Sequence, residues 1–137
     1  MKKFHILIVE DEPIIGIDIK TCLNGLADSL ELAASFEEAL KQINLQKPDL
    51  ALLDICLKGK ADGIELAKIL KMNFQIPFIF IAAFGIRNIE EALTLSPMAI
   101  VKKPFLEADL LNTIEKAKNF ITYNNLHIPS NDRFNLI

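Results

Sequence analysis

The sequence predicts an α/β fold: a doubly wound (βα)5 arrangement around a five-stranded parallel sheet. Two observations carry this. Short, nearly continuous apolar runs recur, as at Phe4–Val9, Leu50–Leu53 and Ala99–Val101. A parallel strand buried on both faces reads this way. Helix-like stretches alternate with those runs, and such crossovers between strands cover both faces of a parallel sheet. Right-handed crossovers leave only a few topologies.

The elements follow in order. Phe4 to Val9 is the first strand. Pro13 opens a helix, where its missing N–H costs nothing. Ile14, Ile15, Cys22, Leu23 and Leu26 are its expected buried side, with Ile17 and Ile19 blurring the stripe. Leu30 to Ala34 is a short second strand. Ser35 caps the next helix, and Glu38 completes a capping box. Phe36, Ala39, Leu40 and Ile43 share one face of that helix. Lys47-Pro48 breaks it, and Asp49 to Leu53 is the third strand. A loop from Cys56 to Ala61 carries Gly59. Asp62 caps a third helix, with Glu65 at the box position and Ile64, Ala67 and Leu70 facing inward. Pro77 starts the fourth strand, Phe78 to Ala82. Asn88 to Leu95 is a shorter helix, Met98 to Val101 the fifth strand, and Glu107 to Ile121 the last helix.

The 137 residues form one domain over 1–122 and a tail over 123–137, too short for an output domain. With 51% hydrophobic and 24% charged residues, most of the chain is globular rather than disordered. A net charge of -3 without a basic run argues against direct nucleic-acid binding. Cys22 and Cys56 lack ligand spacing and are expected as free thiols in a reducing compartment. The first apolar run is too short for a signal peptide or a membrane span, so a cytoplasmic protein without membrane contact is expected. His5 and His127 have no partners at ligand spacing and are expected to be structural or exposed. No glycine-rich phosphate cradle is present, which argues against nucleotide binding.

The chemistry lies where three strands end. Glu10-Asp11-Glu12 follows the first strand, Asp54 ends the third, and Lys103 follows the fifth. If these strands are parallel neighbours, their C-terminal ends share one edge, where open α/β sheets place their active crevice. Oxygen-only donors suit Mg²⁺. A carboxylate can attack phosphorus to give an aspartyl phosphate, while a metal and an ammonium offset the charge on the phosphoryl oxygens. Alone, the acidic cluster is also what a solvated helix start looks like, since acids favour that end of the dipole. The bond between Lys103 and Pro104 is open to the cis form.

Four segments in order, Ile6–Glu12, Pro48–Asp54, Asp62–Leu66 and Lys103–Phe105, show what the chain is similar to. It resembles the receiver domain of two-component response regulators, a flavodoxin-like fold, over about residues 4–122. The resemblance implies that Asp54 is the phosphoacceptor and Asp11 a direct Mg²⁺ ligand. Glu10 holds the second acidic position, often acting through water. The backbone carbonyl of Cys56 is a further ligand, and Lys103 contacts the phosphoryl group. The implied donor is a histidine kinase or phosphotransfer protein. The implied output is contact with a downstream protein, without enzyme activity beyond autodephosphorylation.

Two positions depart from that pattern. Ala82 stands where a Thr or Ser usually ends the fourth strand, and Ile100 stands where a Tyr or Phe usually precedes the lysine by three residues. Ser96-Pro97 replaces a pair that is often Gly-Ala. The expectation is a stand-alone receiver that accepts phosphate and couples it through an atypical switch. Three alternatives stand beside it: a degenerate receiver acting purely as an interaction module, a fragment of a longer regulator, and a small Mg²⁺-dependent phosphatase. The phosphatase lacks a second acid, since Asp54 is followed two residues on by Cys56. Phe134, Leu136 and Ile137 leave open folding back on the domain, homodimer pairing or docking a partner.

Overall fold

A computed structural model describes residues 3–57, 62–83 and 89–127. Five strands, β1 (His5–Val9), β2 (Ser29–Ala33), β3 (Leu50–Asp54), β4 (Phe78–Ala83) and β5 (Ile100–Lys103), form one sheet in the order β2-β1-β3-β4-β5. All four pairings are parallel. The crossovers carry α1 (Pro13–Cys22), α2 (Phe36–Leu45), α3 (Gly63–Ile69) and α4 (Ile89–Thr94), and α5 (Glu107–His127) closes the fold.

Successive strand residues point to opposite faces, so each strand feeds two cores. Leu7, Val9, Leu53, Phe78, Phe80 and Ala82 pack with Ala39 and Ile43 of α2, Ile64 and Ala67 of α3, and Ala92 of α4. Ile6, Ile8, Leu52, Ile81 and Val101 pack with Ile19 of α1, Leu23 just after it, and Leu110, Ile114, Ala117 and Ile121 of α5. Burial on both sides is the reason the inner strands β1, β3 and β4 carry no polar residue besides His5 and Asp54.

The capping signals work largely as expected. Glu38 N–H donates to Ser35 Oγ at 3.1 Å, while the Glu38 carboxylate accepts from Ala34 N–H at 3.2 Å, one residue before the cap. Glu65 N–H donates to Asp62 Oδ1 at 3.0 Å. His5 is buried at the opposite edge of the sheet from the strand ends, with Nδ1 2.6 Å from Ser29 Oγ. Cys22 and Cys56 are free.

Several expectations need correction. Ile14 is 83% exposed and belongs to the outer face of α1, as does Ile17 at 60%. Gly16 and Ile19 are the buried residues of that helix. The inner stripe runs through Ile15, Ile19 and Leu23 at four-residue spacing, so Ile19 anchors the stripe it was expected to blur. The fifth strand runs two residues later than expected. Its ladder continues through Lys102 and Lys103 because backbone pairing is indifferent to a polar side chain. Beyond α3 the chain continues as one π turn over Leu70–Phe74, ended by Gln75 at φ 55°. The last helix extends to His127, six residues beyond its expected end at Ile121. Gly59, Phe84, Asn88, Phe134, Leu136 and Ile137 lie outside the described residues.

Candidate functional site

Parallel pairing brings the polar strand ends to one edge. β1 and β3 are adjacent with Val9 opposite Leu53, so Glu10 follows β1 beside Asp54. Across β4, Asp54 is level with Ile81, and Ile81 with Val101. Lys103 therefore lies two residues further along β5 and spans the gap with its long side chain. The Glu10 backbone is fixed by its N–H, which donates to Ala33 O at 3.0 Å. The peptide bond after Lys103 is cis.

Lys103 Nζ stands 2.7 Å from Glu10 Oε1 and 3.0 Å from Asp54 Oδ2. Asp54 Oδ1 accepts from Cys56 N–H at 3.1 Å. Glu10 Oε2 accepts from Glu12 N–H at 3.2 Å. Carboxylate oxygens of Glu10, Asp11 and Asp54 all lie within 4.8 Å of one another. Glu10 is 1% and Asp54 4% exposed. Three acids thus face one ammonium in a site largely withdrawn from water.

The electrostatics follow from that crowding. Burial, then the neighbouring Asp54, push Glu10 up to about 7, against the pull of Lys103 and the Glu12 N–H. Burial works against the Lys103 ammonium, but Glu10 and Asp54 outweigh it and hold that group above the ordinary lysine range. Partial burial, then the Asp54 carboxylate, raise the Cys56 thiol.

The residues fit a hard divalent cation. Every donor in the cluster is an oxygen, as Mg²⁺ prefers. Glu10 Oε1 is buried and meets the Lys103 ammonium at 2.7 Å. Three carboxylates crowded around one ammonium leave negative charge that a divalent cation would offset.

Glu10, Asp11, Asp54 and Lys103 come together at one sheet edge, and the Cys56 N–H reaches Asp54. Ala82 and Ile100 do not join the carboxylate contacts. Ala82 is 1% exposed in the core under α2, α3 and α4, and half-buried Ile100 packs on that same core. Neither Ala82 nor Ala83 carries a hydroxyl. The sequence reading missed the Glu10–Lys103 pair, which is closer than Asp54–Lys103. Its only signal was the position of both residues at strand ends.

Comparison with known proteins bears on this site. A family model described as the response regulator receiver domain matches residues 6–115. The chain is 33% identical over 118 residues to the phyllosphere-induced regulator PhyR of Methylorubrum extorquens, covering 85% of this chain and 44% of that protein. It is 33% identical to the transcriptional regulatory protein PdtaR of Mycobacterium tuberculosis, covering 82% of this chain and 56% of that one. The chain thus spans about half the length of these curated relatives. The crystal structure of a CheY-like response regulator receiver domain protein from Methanospirillum hungatei is similar at a TM-score of 0.79 and 28% identity. That match covers 90% of this chain and 99% of the other. No helix among the described residues is long and apolar enough to cross a membrane.

Proposed function

The chain belongs to the response regulator receiver domain family, and on that premise we propose that it accepts a phosphoryl group on Asp54. The observation that supports this most is the meeting of Glu10, Asp11 and Asp54 with Lys103 at one sheet edge. An Asp54 oxygen attacks the phosphorus of a phosphohistidine on a kinase or phosphotransfer protein. The P–N bond breaks, its electrons stay with the imidazole, and an acyl phosphate forms. The Cys56 N–H holds Asp54 Oδ1 and so sets the plane of the carboxylate. Lys103, already 3.0 Å from Oδ2, is the cation that meets the incoming phosphoryl oxygens.

Mg²⁺ would be held by Asp11, Asp54 and the Cys56 carbonyl, with Glu10 at the second acidic position, and when bound it offsets the charge on the phosphoryl oxygens. Output is by contact with a downstream protein rather than by turnover, with homodimer pairing a further use of the same surfaces.

Ala82 and Ile100 make the switch atypical. One charge-assisted hydrogen bond is worth about 1.5–3 kcal/mol, whereas moving a population from 1:99 to 99:1 takes about 5.5 kcal/mol. Without the hydroxyl contact and the aromatic swing, phosphoryl transfer proceeds with weak coupling to the face formed by α4, β5 and α5. The departures at Ala82 and Ile100 also favour a second reading, a phosphorylation-independent interaction module.

Intact-mass measurement after incubation with acetyl phosphate and Mg²⁺ separates the two. The proposal expects one phosphoryl adduct, lost in Asp54→Asn and without metal. An unmodified chain with acetyl phosphate and with a phosphotransfer donor leaves the interaction module.

A further inference from the structure

Gly63 opens α3 and is buried against the end of β3. A Cβ built there would collide with the Asp54 carbonyl oxygen and stand 2.9 Å from the Asp54 carbonyl carbon and the Ile55 Cα. These are backbone atoms, so no rotamer relieves the clash. Gly63 N–H donates to Ile55 O at 3.0 Å, and Ile55 N–H donates to Ile81 O at 3.0 Å. The residue after Asp54 is therefore clamped between α3 and β4, while the Asp54 side chain is held by Cys56 N–H and Lys103.

We propose that Gly63 is a positioning residue for Asp54: its missing side chain lets α3 seat directly on the backbone of residues 54 and 55, and this seat aligns the carboxylate with Glu10 and Lys103. The inference rests on the reading of Asp54 as phosphoacceptor. An added methyl must lift α3 or tilt the peptide after Asp54, and a shift of about 1 Å at a reacting group can cost about 10²-fold in rate.

The test compares Gly63→Ala with Gly16→Ala in the full chain. Gly16 is also a buried helical glycine, but the nearest atom to a Cβ there is Leu32 Cδ1 at 2.9 Å, the end of a flexible side chain. The readouts are the metal-free amide chemical shifts of Asp54, Ile55 and Cys56, Mg²⁺ affinity by titration, and the rate of adduct formation with acetyl phosphate. Gly63→Ala is expected to move those amides, weaken Mg²⁺ about tenfold or more and slow adduct formation about 10²-fold. Gly16→Ala is expected to stay within about twofold. A folded Gly63→Ala that matches Gly16→Ala overturns the proposal.

If Gly63→Ala does not fold, Asp62→Ala and Asp62→Asn decide. Both remove one charge, but only Asn keeps a cap on the Glu65 N–H. Weaker Mg²⁺ binding by Ala than by Asn supports the seat, and equal binding overturns it. A wild-type chain that binds Mg²⁺ yet takes no phosphoryl group removes the reading of Asp54 and leaves the amide and metal readouts to judge Gly63.

Discussion

Ala82 takes its consequence from where its methyl sits. It lies in the core beneath α2, α3 and α4, level with Lys102 on β5, one residue past the level of Asp54 and one short of that of Lys103. Ala82→Thr supplies the absent hydroxyl but forces two more heavy atoms into a packed core, which costs about 1–3 kcal/mol. The variant is expected to be less stable to urea and to show a larger beryllofluoride-induced change in hydrogen exchange over α4 and β5 than the wild type. Glu10 makes a second prediction at this scale. In the metal-free protein its folded pKa of about 7 exceeds the reference value of 4.5. Between these values the native state holds more protons than the unfolded chain, so stability from this group is present below pH 4.5 and lost as pH rises through 7. Each unit of difference is worth at most about 1.4 kcal/mol. Urea denaturation in chelator is expected to show this fall, and Glu10→Gln is expected to flatten it.

Among the elements, the two non-glycine residues with positive φ in the described part of the chain mark element junctions. Gln75 ends the π turn at φ 55°, and Ser96 lies between α4 and β5 at φ 55°. A left-handed conformation costs a residue with a Cβ roughly 1–2 kcal/mol, part of which glycine returns as chain entropy. Gln75→Gly is therefore expected to raise stability by about 0.5–1 kcal/mol in urea denaturation. Lys71, on the same π turn, donates to Leu95 O at 3.1 Å just beyond α4. A cation on the last carbonyls of a helix favours its dipole. Lys71→Met is expected to speed amide exchange at Leu95 and Ser96, with β1 and β3 unchanged. The inner strands were legible because burial on both faces leaves β1, β3 and β4 almost wholly apolar. The end of β5 was less so: apolar character stops at Val101, while hydrogen bonding runs on to Lys103. Ile14 misled because α1 carries isoleucine on its outer as well as its inner side, so Asp18, Lys20 and Thr21 phase it only weakly. Only the packing of Gly16 on Leu32 and of Ile19 on the sheet selects the inner side.

For the whole molecule, two cores lock the five strands in register, and that register turns residues scattered from position 10 to 103 into one site. The site's residue types were readable from strand-end position. The contacts between Glu10 and Lys103 and between Gly63 and the Asp54 backbone were not, because they depend on the spacing of elements distant in sequence. A cation bound only by the folded state stabilises it by about 2.7 kcal/mol at a hundredfold excess over its Kd. Mg²⁺ is expected to raise the urea midpoint of the wild type, and Asp11→Asn is expected to abolish most of that rise. The most direct test of Asp54 as phosphoacceptor is borohydride reduction of the acetyl phosphate-treated protein, followed by peptide mass mapping. An acyl phosphate at Asp54 is expected to convert that residue to homoserine. Homoserine at another aspartate, with Asp54 unmodified, would contradict it.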